Sequence, residues 1–509
     1  MSLKINGLSW IRSMASASLL KKSILTGLLA LIANITYSQS KIELPVDWHL
    51  QDALSSEYMG ISLDKALNLL KGKKAKSIIV GVIDSGVDTL HEDLQSVLWR
   101  STIADQNHSG QKFGWSYLGS AKGNVNKERL EYVRLINAKR RLGDTLSADY
   151  KEIFNIYTNQ VQNAQKTFQR LGKQLEDLKI LMNNIGKTDL SLSDFNSYRP
   201  RSESESDLIS QIKQVLEKDS DFNVYRSGLQ ETYNRVKGRL DYTLNLSYNP
   251  REIVGDDPNV TTDRFYGSPD VQANDPRHGT HVTGIIAADR NNDVGVKGVA
   301  ANVSILTVRA IPDGDEYDKD VANAIRYAVD HGAKVINMSF GKAYSPNKKY
   351  VDEAVQYAMK NDVLLVHAAG NERTNIDKVP HYPTFLYQDG GKAAGWIEVG
   401  ASGPTQKELV AIFTNYGAET VDLFAPGVNI YATVPGNQYT RLSGTSMATP
   451  VVSGIAALIR SYFPRLTAVQ VKEILMKSVI AHPTLKNKCL SGGIVNAARA
   501  MELALKYKP

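Results

Sequence analysis

Two rhythms of apolar residues divide this chain. Short continuous runs rich in Val and Ile, bounded by turn residues, recur from residue 77 onward: Ser77–Ile83, Val303–Val308, Lys334–Met338, Val363–Ala368 and Trp396–Val399. A run of that length, apolar on both faces, predicts a strand buried on both sides. Amphipathic stretches lie between them, among them Asp318–His331 and Tyr350–Lys360, and Val495–Leu505 is another. Strands alternating with helices predict an α/β fold, with a mostly parallel central sheet flanked by helices.

The second rhythm fills residues 118–248. Tyr150, Phe154, Tyr157, Val161, Ala164, Phe168, Leu171, Leu175, Leu178 and Met182 recur at steps of four and three, which predicts one long helix with a heptad stripe. A turn is expected over 183–205, and a less regular helical pattern follows through Leu208, Ile212, Val215, Tyr225, Leu229, Tyr233, Val236 and Leu240. Facing stripes predict an antiparallel, coiled-coil-like helical hairpin inserted into the α/β fold. The expected organisation is therefore a leader at 1–38, the α/β part at 39–117 and 249–509, and the insertion at 118–248. The hairpin suits a structural elaboration, a lid, a dock for a partner or a folding aid, and the sequence names no partner for it.

The leader is read from Lys21 and Lys22, the apolar run Ser23–Ala33, and the small or hydroxylated Thr36 and Ser38. The run is too short to span a bilayer and suits a cleaved signal peptide, so cleavage near Ser38 and export are expected, to the medium, periplasm or cell envelope. Met14 is an alternative start. No later segment reads as a membrane span. Apolar residues make up 42% and charged residues 22%, which is ordinary for a soluble globular chain with a sizeable core. The formal charge of +7 is spread without dense Lys/Arg clusters interleaved with aromatics, which argues against nucleic-acid binding. The lone Cys489 cannot form an intrachain disulfide, so an exported form depends on packing or bound ions.

Chemistry concentrates in four segments. Val82-Ile83-Asp84-Ser85-Gly86-Val87-Asp88 puts Asp84 at the C-terminal end of a buried strand, where parallel sheets carry their sites; alone, such an Asp is more often a cap or turn residue. Arg277-His278-Gly279-Thr280-His281-Val282-Thr283-Gly284 opens a helix stripped of bulk. His278 and His281 as a metal pair lack a third ligand, whereas His278 as a general base gains close approach from Gly279, leaving His281 a structural part. Leu442-Ser443-Gly444-Thr445-Ser446-Met447-Ala448-Thr449-Pro450 places Ser446 at a helix start. A Ser there is a good cap, but small neighbours and helix N-terminal amides also suit an acyl-enzyme nucleophile. Ala368-Ala369-Gly370-Asn371-Glu372 offers Asn371 as an oxyanion donor at a strand end, where a lone Asn otherwise forms a turn.

DSGVD, HGTHVTG, AAGNE and GTSMATP, in that order, resemble the motif set of subtilisin-like serine peptidases over roughly residues 77–116 and 250–500. The resemblance implies a subtilisin-like three-layer fold and a serine endopeptidase acting on proteins or peptides, with no cofactor for catalysis. It implies Asp84, His278 and Ser446 as triad, Asn371 and the Ser446 amide as oxyanion hole, and Ser339, Phe340, Gly341 and Gly370 as substrate-binding positions. It also implies a broad apolar preference before the cut, with no acidic cluster here to favour basic residues. A structural calcium ion is implied at Asp93 and Asn292, although the family's N-terminal ligand has no match. Two features depart from the family pattern: the long stretch between Asp84 and His278, and only residues 39–83 ahead of the catalytic Asp, which predicts a very short propeptide or none. The hairpin is then a candidate cover for the cleft, with the segment from Gly255 to Asp270 shaping its edge. The alternative to an active peptidase is a silent relative that binds a partner through the hairpin.

Overall fold

The computed structural model describes residues 44–102, 105–217 and 221–507. The leader expected at 1–38 lies outside them. Among the described residues, no helix is long and apolar enough to cross a membrane.

In chain order the strands are β1 (Ile78–Asp84), β2 (Gly114–Ser116), β3 (Gly119–Ser120), β4 (Gly123–Asn124), β5 (Val303–Arg309), β6 (Ala333–Met338), β7 (Leu364–Ala368), β8 (Trp396–Ser402), β9 (Leu423–Pro426), β10 (Ile430–Val434), β11 (Gln438–Leu442), β12 (Ile480–Ala481) and β13 (Gly493–Ile494). Nine form one sheet in the order β12-β13-β9-β8-β7-β6-β1-β5-β2. All its pairs are parallel except β12–β13. The five apolar runs read from the sequence are its five contiguous central strands. Their side chains alternate between two cores. Val80 and Val82 join Val451 and Ile455 of the helix Thr445–Tyr462 on one face, while Ile83 and Ile336 join Val321 and Ile325 of the helix Asp318–Asp330 on the other. Each such fully buried aliphatic side chain contributes about 1.5–3 kcal/mol, and the three-layer α/β fold follows from covering both faces.

The heptad stripe forms one helix, Ala148–Ile185, about 57 Å long at 1.5 Å per residue. The return limb is two helices, Glu203–Leu216 and Phe222–Gly238, where a single pattern was expected. They run antiparallel to the long helix: Leu208 and Ile212 pack with Leu178 and Leu181, and Val236 with Ala164 and Leu171. Part of the expected turn over 183–205 is also helical, at Leu192–Ser197. Ser191 and Asp194 cap it reciprocally, and Phe195 is buried against the long helix's cluster. A further helix, Glu131–Arg141, packs Ile136 on Tyr150 and Ile153 at the base of the hairpin.

Candidate active site

Asp84 ends β1, and its side chain is 2% exposed. Burying a carboxylate there requires donors, and Oδ1 accepts from the backbone N–H of Ser85 and from His278 Nδ1, both at 2.7 Å. His278 sits in the first turn of the helix Arg277–Ala287. Gly279 permits this approach, since a Cβ on it would lie 2.1 Å from the Gly86 carbonyl and 3.1 Å from Asp84 Oδ1. Burial works against a charge on the His278 ring. The charge of Asp84, its hydrogen bond and then the charge of Asp275 outweigh burial and hold the pKa above the ordinary histidine value. His281, by contrast, lies wholly inside the fold. Its Nε2 stands 3.1 Å from the carbonyls of Ile430 and Thr440, and burial pushes its pKa down to about 3. It fastens the helix to the β10–β11 hairpin as a neutral ring, as the sequence reading expected of a structural histidine.

Ser446 opens the buried helix Thr445–Tyr462. Its Oγ donates to the Ser339 carbonyl at 3.1 Å, and Ser339 Oγ donates to the Ser446 carbonyl at 3.0 Å. The second bond has a local cause. Pro450 lies four residues on and has no N–H, so the Ser446 carbonyl lacks its helical partner and Ser339 supplies one. Among the described residues, no hydrogen bond joins Ser446 to His278. Asn371 Oδ1 accepts from Thr445 N–H at 2.9 Å and from Thr445 Oγ1 at 3.1 Å, which sets Asn371 beside the start of the Ser446 helix with its Nδ2 uncommitted among the described residues. Gly370, at φ +100°, makes the turn that delivers it.

Ser339, Phe340 and Gly341 follow β6. Phe340 and Gly341 have no backbone hydrogen bond among the described residues, whereas Lys342 pairs in both directions with Tyr382. A two-residue length of free edge is thus left at the expected substrate positions. Gly341 and Gly370 both face His381: a Cβ on Gly341 would lie 2.1 Å from its Nε2, and one on Gly370 2.9 Å from its Cε1.

The sequence reading passed over three supports of this site. Asn337 is fully buried in β6; its Nδ2 donates to Ser339 Oγ at 2.9 Å and its Oδ1 accepts from Ser453 Oγ at 2.8 Å. Asn415, also buried, bridges the Ala369 carbonyl at 2.8 Å and the Glu372 N–H at 3.0 Å, bracing the loop that carries Asn371. Polar residues inside otherwise apolar runs, Asn337 in a strand and Ser453 in a helix, were the available signal.

The two expected calcium ligands meet, but not as two oxygens. Asn292 Nδ2 donates to Asp93 Oδ1 at 2.9 Å, and the Val296 N–H donates to Asp93 Oδ2 at 3.0 Å. Calcium takes six to eight oxygen ligands, and Asn292 Oδ1 is committed to the Val294 N–H at 3.2 Å, so as arranged the pair offers an ion the buried Asp93 carboxylate alone.

A model of the subtilase family matches residues 75–497. A thermophilic serine proteinase of Bacillus sp. (strain AK1) is 42% identical over 36% of this chain and 42% of its own length. Thermitase of Thermoactinomyces vulgaris is 40% identical over 36% of this chain and 61% of its own. Subtilisin-like protease 1 of Plasmodium falciparum is 30% identical over 56% of this chain and 44% of its own. The chain thus spans less than two thirds of the length of these curated relatives. Among solved structures, the protease domain of PatA is 31% identical, with a TM-score of 0.39 over 45% of this chain and 81% of that one. With the family match running from β1 to the last helix, the chain belongs to the subtilase family.

Proposed function

We propose that the protein is an exported serine endopeptidase that hydrolyses peptide bonds in proteins through an acyl-enzyme. The observation that carries this is the Asp84–His278 pair, 194 positions apart in sequence and closed at 2.7 Å over a buried carboxylate. Asp84 holds the His278 proton on Nδ1, leaving Nε2 as the base. The Ser446 hydroxyl turns from the Ser339 carbonyl to His278 Nε2, gives up its proton and attacks the substrate carbonyl. The oxyanion is received by Asn371 Nδ2 and the Ser446 N–H at the helix start, where backbone dipoles also favour negative charge. His278 then passes its proton to the leaving amine, and water repeats the sequence on the ester. Phe340 and Gly341 pair with the substrate backbone as an added strand, with Ser339 and Gly370 bordering the same cleft.

The same proposal divides the chain into a leader at 1–38, a peptidase body at 39–117 and 249–509, and the helical insertion at 118–248. The chemistry uses no cofactor, and Asp93 and Asn292 would hold a structural calcium ion once Asn292 Oδ1 leaves the Val294 N–H. Labelling by a fluorophosphonate probe, read by intact mass, tests the nucleophile. One adduct is expected on the native chain and none on Ser446→Ala. A folded native chain that takes no adduct, or a Ser446→Ala variant that still does, overturns it.

A further inference from the structure

Away from the cleft, Asp105, His108 and His331 each bring one donor atom to within 4.8 Å of the others. Asp105 and His108 belong to the loop before β2, and His331 follows the helix Asp318–Asp330. We propose that these three side chains form a binding site for a zinc-class divalent ion, which ties that loop to the helix end and so secures the β2 edge of the sheet.

The donor set selects the ion. Two imidazoles and one carboxylate suit zinc and its transition-metal neighbours, whereas calcium and magnesium take oxygen alone. The tautomer of His331 is already set for binding. Its Nδ1 lies 2.8 Å from the Tyr327 carbonyl, which can only accept, so the proton sits on Nδ1 and the lone pair on Nε2. A backbone carbonyl in that position is the usual outer partner of a metal-bound histidine. His331 Nε2 lies 3.7 Å from Asp105 Oδ2, close to the ~3.4 Å that separates two ligands on a tetrahedral ion with bonds of about 2.1 Å. His108 Nδ1 lies 2.7 Å from the same oxygen as a hydrogen bond, so an ion would enter in place of the proton they share and move the two side chains apart by about 0.7 Å. The Asp105 and His331 side chains are 24% and 15% exposed, which leaves a way in from solvent. A three-ligand site also leaves a position for water.

The purified chain is stripped with chelator, given excess calcium to fill oxygen sites, and titrated with zinc chloride by calorimetry and by thermal melting. Cobalt(II) is used in parallel for its visible bands. One zinc per chain, a raised melting temperature and cobalt bands of tetrahedral intensity are expected. Trp115 lies 4.9 Å from the His108 ring and Trp99 5.7 Å from the His331 ring, so tryptophan emission should change at the same equivalence point. His331→Gln and His108→Gln should each weaken zinc binding by at least about tenfold and leave fluorophosphonate labelling intact. Asp105→Asn, which keeps the side chain's shape, makes the same comparison if a histidine variant does not fold. Native and variant chains that bind zinc equally, or a native chain that binds none, overturn the proposal.

Discussion

Glu316 provides a test in which the magnitude and the sign are both set by the structure. It is 2% exposed, and its Oε1 has no hydrogen-bond partner. Burial is the main cause of a pKa pushed up to about 8 from 4.5, and the nearby Asp315 and Asp318 charges add to it against the opposing pull of Lys342. The folded state therefore keeps a proton that the unfolded chain loses from about pH 4.5 upward. Stability held below that pH drains away as pH rises towards 8, by about 3 kcal/mol at pH 7 and about 5 kcal/mol above pH 8. Glu316→Gln substitutes a neutral side chain of the same shape and removes this dependence. Urea unfolding of both proteins at pH 4.5, 6, 7 and 8 should show the variant gaining on the native chain by roughly 3 kcal/mol between pH 4.5 and 7. A difference that stays constant across that range means Glu316 is ionised in the fold, and the reasoning fails. The result also bears on the cleft: the Glu316 carbonyl accepts from Lys342 Nζ at 2.7 Å, and Lys342 follows the edge at Phe340 and Gly341 proposed to take substrate.

Three further outcomes are expected. Asn371→Ala should lower kcat on a chromogenic peptide by about 10²–10³-fold with little change in KM; a loss below about threefold removes Asn371 from the oxyanion hole. Because Asp84 holds the His278 pKa up and the base must be neutral, kcat/KM should rise with pH on a limb centred above 6.5. The stabilisation from that ion pair runs the other way: it is complete below the unfolded value and is lost as pH rises through the folded one. Asp84→Asn should lower kcat by about 10⁴-fold and move the limb down; an unmoved limb would mean another group titrates. Finally, chelator should lower the melting temperature and calcium restore it, and Asp93→Asn should abolish the restoration. Indifference of the native chain to both reagents rules out an ion at Asp93 and Asn292.

The sequence exposed what depends on long apolar runs and on contiguous motifs. β1, β5, β6, β7 and β8 were legible because central strands are apolar on both faces. β2 and β9, three and four residues long, were not, because a Gly-Trp-Ser or Leu-Phe-Ala-Pro segment has too few positions to show a period. The positions of Asp84, His278, Ser446 and Asn371 were readable from short motifs. Their supports were not, because Asn337, Ser453 and Asn415 act through partners far away in sequence: Ser453 Oγ meets Asn337 Oδ1 across 116 positions. The break in the hairpin's return limb was hidden because the apolar stripe continues on both sides of it, through Ile212 and then Phe222.

The roots of the hairpin narrow what it can do. At the outgoing end, Glu131 Oε2 lies 2.8 Å from Lys342 Nζ and 2.5 Å from Arg134 Nη2, with all three side chains at most 7% exposed. Lys342 is also 2.9 Å from Asp318 Oδ1. At the returning end, Arg251 grips both oxygens of Asp320 at 2.7 and 2.8 Å, and Asp256 lies 2.7 Å from the fully buried Lys319. The outgoing end is thus tied to Lys342, the residue after Gly341, which itself pairs with Asp318, and the returning end to Lys319 and Asp320. Removing one partner of such a buried pair costs about 3–5 kcal/mol, and swinging the hairpin away from its outgoing end would break Glu131–Lys342 together with the bonds from Arg134 to the Asp315 and Glu316 carbonyls at 2.7 and 3.0 Å. A lid hinged at its roots is therefore a poor match for this geometry. The pairs hold the foot of the hairpin at Lys342, one residue past the free edge at Phe340 and Gly341.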